Sequence, residues 1–159
     1  TADTGTQQWR RGLYMHWQRQ FLHPMLKSFD APRREECTAQ RPQSNTPLAA
    51  LVLLNDPTFV ETARVFAEKI ATQPGPDSSR IKFAFRCAVS RDSDDWETKT
   101  LGEFLNATRA RFQRSPEAAL ELIRTGTAPV PAAFEPIELA AWTEVARALL
   151  NLSETITRY

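Results

Sequence analysis

With 159 residues the chain suits a single domain that buries about 70% of the surface its unfolded form exposes. An apolar share of 42% and a charged share of 25% fit a globular protein rather than a disordered or fibrous one. The net charge of +1 argues against nucleic acid or an anionic membrane as the main partner, and no apolar run approaches the roughly 18 residues that a membrane-spanning helix needs.

Residues 1–45 are predicted to be irregular. Within them, "GLYMHWQRQF" carries Leu13, Met15 and Trp17 in weak alternation, and the segment 10–21 reads as either a strand or a helix. The following "LHPMLKSFDAPRREECTAQRPQSNTP" holds too many breakers for regular structure. So long a connection needs a surface to lie on, and we expect it to pack across a helical bundle through Phe21, Leu22, Met25, Leu26 and Phe29. The opening on Thr1 rather than Met leads us to expect a piece of a longer protein.

From residue 46 to residue 159 the pattern is helical, and the two regions together are expected to form one domain. Thr46-Pro47 and Asp56-Pro57 each pair an N-cap residue with proline at the first helical position. The first opens the apolar "LAALVLLN". The second opens a helix in which Phe59, Ala63, Phe66, Ala67 and Ile70 share a face, with Glu61, Arg64 and Lys69 left for the polar side. After "QPGPDSS", Ile81, Ala84, Phe85 and Ala88 form a buried stripe, and Cys87 reads as core. Leu101, Phe104, Leu105, Thr108 and Phe112 mark a longer helix starting near Ser93. Ser115-Pro116 opens a short helix closed by Gly126. Beyond the proline-rich "APVPAAFEP", Ala141, Val145, Ala148, Leu149 and Leu152 face one way in the last helix. The predicted architecture is a mainly α, compact helical bundle with a long irregular N-terminal segment packed across it.

Candidate chemistry is sparse. His16 and His23 lie seven apart, without the i, i+4 spacing of a helical metal pair, and read as locally bonded or exposed groups. Asp92, Asp94 and Glu103 fall on positions of a calcium loop, but Trp96 and Glu97 stand where it needs an oxygen ligand and a glycine. These acids read instead as a cluster favouring a helix N-terminus, and no metal site is predicted. With no CxxC in the chain, a zinc ribbon, a thioredoxin-like site and c-type haem attachment are excluded here. Cys37, near Arg33, Arg34 and Arg41, is a candidate reactive thiol. Asp30, Arg33, Arg34, Glu36 and Cys37 form the candidate catalytic set, although a buried or disulfide-bonded cysteine explains Cys37 more simply. Trp9, Arg11, Tyr14 and Trp17 form a candidate binding surface, since interleaved arginine and aromatic side chains stack on sugars or bases. The same residues also pack on one another at a domain edge.

Taken together, "RRGLYMHWQRQ", "FDAPRREECTAQRPQSNTPLAALVLLNDPTFVETARVFAEKI", "IKFAFRCAVSR" and "ELAAWTEVARALLNLSETITRY" resemble a planctomycete-specific C-terminal domain of unknown function. That domain occurs in large cytochrome-c-like planctomycete proteins. Gly12 and Ala49 depart from its usual serine and glutamine. The resemblance implies a non-catalytic helical module, structural or interacting in role, of a protein exported to the periplasm or cell surface. It further implies that this chain holds no cofactor of its own, with haem c carried elsewhere in the parent. Upstream domains of that parent are the implied partners, with a polysaccharide or another protein as further ones. The alternatives are an enzyme site formed by "FDAPRREEC" or a polysaccharide-binding surface.

Overall fold

The computed structural model describes residues 22–32, 37–40 and 46–156. Among them are eight helices and no strand, so the chain is mainly α. It divides into two compact units, residues 1–53 and 54–159. The strand-or-helix segment 10–21 and the apolar contact expected of Phe21 lie outside the described residues.

The first unit contains α1 (Pro24–Ser28) and most of α2 (Pro47–Asn55). Helix α1 corrects the expectation that this breaker-rich stretch has no regular structure. Pro24 sits at its first position, where a missing N–H costs nothing. His23 caps it, with Nδ1 accepting from the Met25 N–H at 3.3 Å. Helix α2 starts as predicted, the Thr46 hydroxyl oxygen accepting from the Ala49 N–H at 3.2 Å. Its apolar run is not a core element, however. No residue of α2 is buried, and Leu48 and Leu51 are 58% and 54% exposed. Apolar residues occur on every side of α2, so periodicity could not say which of them would be covered.

The second unit holds α3 (Pro57–Ala71), α4 (Asp77–Val89), α5 (Asp95–Arg114), α6 (Pro116–Ile123), α7 (Pro136–Leu150) and α8 (Ser153–Ile156). Capping follows the sequence closely. The Asp56 carboxylate accepts from the Thr58 N–H at 2.9 Å. Asp94 and Glu97 close a capping box on α5, each accepting the other's backbone N–H at 2.6 and 2.8 Å. Helix α5 therefore begins at Asp95 rather than Ser93, and the acids around it cap and pair. Asp92 bonds Arg86.

Helix α7 is the centre of this unit, packed chiefly on α3 and then on α5 and α6. Leu139, Ala140, Ala141, Trp142, Thr143, Val145, Ala146 and Leu149 are all buried, so α7 is covered on most sides rather than along one stripe. Four small alanines (140, 141, 146 and 148) let neighbouring helices approach closely, and Leu152, expected on the buried face, stays exposed. Trp142 is fully buried, and its indole N–H donates to Glu138 at 2.8 Å, so it enters the core without an unpaired donor. Ile81, Ala84, Phe85, Leu105 and Phe112 pack into the same core. Two other assignments are corrected. Cys87 is exposed, because it lies about a third of a turn from the centre of the Ile81–Ala84–Phe85 stripe. Phe104 is 41% exposed, at the edge of the face that buries Leu105, Thr108 and Phe112.

Candidate functional site

Of the candidate catalytic residues, Asp30 has the most definite local structure. Its φ is +54°, in the left-handed region. The Asp30 N–H donates to the Lys27 carbonyl at 3.2 Å, and the Ala31 N–H to the Leu26 carbonyl at 3.0 Å. Those two bonds are the Schellman closure of a helix C-terminus, with Pro32 next to block continuation. "FDAP" is thus a stop signal for α1. Phe29 ends the helix, Asp30 turns the chain and Ala31 takes the returning bond. Aspartate tolerates the left-handed conformation better than most residues, which accounts for its place in the motif without a chemical step.

Of the remaining catalytic candidates, only Cys37 lies among the described residues. Arg33, Arg34 and Glu36 lie outside those residues, as do Arg41, Trp9, Arg11, Tyr14, His16 and Trp17. Cys37 is a free, exposed thiol, not a buried or disulfide-bonded one.

The second unit contains buried charge that periodicity assigned to the polar side. Glu61 and Arg64, on α3, are each only 1% exposed. The Glu61 carboxylate accepts from the backbone N–H groups of Thr127 and Ala128 at 2.7 and 3.0 Å. Arg64 donates to the carbonyls of Ala128 and Pro129 at 3.1 and 3.4 Å, and to Glu68. Together they clamp the strap 125–130 that joins α6 to α7. Burial pushes the Glu68 carboxyl above its ordinary value, while the bonded Arg64 guanidinium pulls the other way.

Gly126 makes the clamp possible. Its φ is +101°, and a Cβ there would stand 2.1 Å from the Glu61 carboxylate oxygen. It therefore serves this close approach rather than closing α6, which ends at Ile123. A signal was present in the sequence. Arg64 lies four residues after the buried Val60 and three before the buried Ala67, inside the apolar stripe.

A second polar cluster joins three helices. Arg109 on α5 binds Glu138 on α7 at 2.8 Å through Nε, and Asp77 at the start of α4 at 2.6 and 3.2 Å. Hydrogen bonds from Arg109 hold the Asp77 carboxyl below its ordinary value. Near α8, Arg91 forks onto both oxygens of Glu97 at 2.8 and 2.6 Å and reaches Glu154 at 3.1 Å. The Arg91 hydrogen bonds bring the Glu97 carboxyl down to about 2, against partial burial.

One shallow groove of about 530 Å³ runs along α5, α6 and α7, lined by Arg111, Phe112, Ser115, Ala118, Leu122 and Glu144. Arg111 lies over the Phe112 ring at 4.5 Å and bonds Glu144 at 2.9 Å, so its charge is already engaged. No group of three or more His, Cys, Asp or Glu side chains suited to a metal ion occurs among the described residues. No described helix is long and apolar enough to cross a membrane.

The sequence model of one family, PSD1, described as a protein of unknown function (DUF1553), matches residues 1–105. The chain belongs to the PSD1 family. No curated protein and no solved structure matches it. The PSD1 match spans the Schellman stop, the proline-started helices α1, α2 and α3, the clamp residues Glu61 and Arg64, and half of α5. It ends before the strap and before α7. The matched part of the second unit therefore packs on a central helix, and clamps a strap, that lie beyond the match.

Proposed function

We propose that this PSD1 chain is a non-catalytic helical module of a large planctomycete protein that carries c-type haem elsewhere in its sequence and is exported to the periplasm or cell surface. Its role is structural or interacting. It takes the upstream domains of the same parent as partners, with a polysaccharide or another protein as further ones. The observation that carries the non-catalytic part is the employment of the buried charges. Glu61 is bound to strap amides, Arg64 to strap carbonyls, and Arg109 to two carboxylates. A general base needs a lone pair directed at a substrate site, and these carboxylates direct theirs at the fold. Asp30 likewise has a sufficient backbone role. The export and haem parts are supported by the motif blocks quoted above.

Two measurements test this reading. Cells making the parent protein are fractionated, and the fractions are probed with an antibody to this chain and stained for covalent haem. A haem-bearing band in the exported fraction is expected; a haem-free or cytoplasmic parent rejects the export and haem parts. In the purified parent, Asp30→Asn and Cys37→Ser are expected to leave any turnover within about twofold. A loss far beyond that in a variant with unchanged thermal stability would establish the "FDAPRREEC" enzyme site instead.

A further inference from the structure

Helix α5 has two unlike sides. One buries Leu105, Thr108 and Phe112. The other exposes Trp96 at 73%, the most exposed large apolar side chain among the described residues, and Phe104 at 41%. At roughly 100° per residue, Trp96, Thr100, Phe104 and Ala107 fall within an arc of about 80° and form a stripe about 16 Å long. Lys99 and Glu103 flank the stripe on one edge. They are 77% and 71% exposed, and only loosely held to each other at 4.0 Å.

We propose that this face binds a second copy of the chain, α5 against α5, antiparallel about a twofold axis level with Thr100 and Leu101. The order of charges selects that partner. In an antiparallel pair, residues equidistant from the axis on opposite sides meet. Lys99 then lies beside Glu103 of the second copy, and Glu103 beside its Lys99, with an axial offset of about 1.5 Å. The same axis sets Trp96 level with Phe104 of the second copy to the same tolerance. A parallel pairing would carry the Lys99–Glu103 edges of the two copies to opposite sides of the contact, out of each other's reach, so the charges favour the antiparallel direction. Thr100, small and exposed, stands at the axis where the two backbones come closest. Each copy presents the same patch, as a closed twofold dimer requires. The stripe is short, so the interface falls below the roughly 1,200 Å² of standard stable complexes. Its dissociation constant is expected near 0.1–1 mM, on the order of other small transient contacts.

The test uses the 159-residue chain alone and is independent of the haem-protein reading. Sedimentation equilibrium from about 10 μM to about 2 mM at low salt should show a monomer–dimer equilibrium. Lys99→Glu and Glu103→Lys singly should each weaken it by about tenfold. The double variant, Lys99→Glu with Glu103→Lys, should restore it. Trp96→Ala should abolish it. Without any substitution, the Trp96 indole N–H resonance should shift with protein concentration. A chain that stays monomeric throughout overturns the proposal, and so does a dimer indifferent to the single charge reversals or not rescued by the double one. Circular dichroism melts of every variant confirm that the monomer fold is intact.

Discussion

Gly126→Ala tests the buried clamp most directly. Two costs arise at once. The backbone at φ +101° disfavours any Cβ, by about 1–2 kcal/mol for left-handed geometry. The new Cβ would also lie 2.1 Å from Glu61 Oε2 and 2.7 Å from the Glu61 Cβ and Cδ. Glu61 must then shift, which lengthens or breaks its bonds to the Thr127 and Ala128 N–H groups. A hydrogen bond to a charged group contributes about 1.5–3 kcal/mol. Losing one and straining the backbone gives about 3–5 kcal/mol, a large share of the roughly 5–15 kcal/mol that holds a typical domain folded. Urea denaturation followed by circular dichroism measures it. Glu61→Ala alone should cost about 2–4 kcal/mol, because it leaves two strap amides without their acceptor. In the double variant the conflict with the carboxyl group disappears, although that with the Cβ at position 61 stays, so the combined cost should fall short of the sum by about 1 kcal/mol or more. A Gly126→Ala cost below about 1 kcal/mol, or strict additivity of the two changes, would refute the clamp.

Further expectations concern the helix stop, acid stability and the extent of the unit. Asp30→Gly should preserve the α1 stop, whereas Asp30→Val should weaken it by about 1–2 kcal/mol, read as faster hydrogen exchange at the Ala31 amide; equal exchange in the two variants would remove the conformational role. Glu97 is held at about 2 and Asp77 is also lowered, so the unfolded chain takes up protons first as the pH falls. The stability these carboxylates confer is present above their ordinary values and is lost as the pH drops from about 5 towards 2. Urea midpoints at pH 6 and pH 3 measure that loss; Arg91→Gln should shrink it, while Glu68, raised by burial, contributes in the opposite sense. Deleting residues 106–159, and so leaving only the family-matched part, removes half of α5 and all of α7. Such a chain should show no cooperative melt, and a sharp transition would mean that α7 is not the centre of the core.

Most helix starts were legible because capping is local chemistry. Thr46-Pro47 and Asp56-Pro57 each open a helix where a side-chain oxygen and a proline suit the first turn, and Ser115-Pro116 opens α6 through its proline without a side-chain cap. The stripes on α3 and α4 were legible where one face meets the core, as with Ala63, Ala67, Ile70, Ile81, Ala84 and Phe85. Four residues depart from what periodicity predicts. Cys87 and Phe104 are apolar residues left outside, while Glu61 and Arg64 are charged residues taken inside. Periodicity ranks faces by polarity. It does not know that a strap 60 residues further on will cover the polar flank of α3 and offer that flank its amides and carbonyls.

The sequence by itself determined a mainly α chain, where α2, α3 and α6 start, and a family resemblance whose first three motif blocks lie within the PSD1 match. Those are properties of neighbours within a few residues, set by backbone sterics and the orphan N–H groups of a first helical turn. Tertiary structure alone decided that α7 is the core and that no residue of α2 is buried. It also decided that Glu61 becomes a buried acceptor. Each of these depends on which groups meet across long separations or on which side of a helix is covered. Burying a carboxylate is costly unless donors arrive to meet it, and only the folded chain brings Thr127 and Ala128 to Glu61.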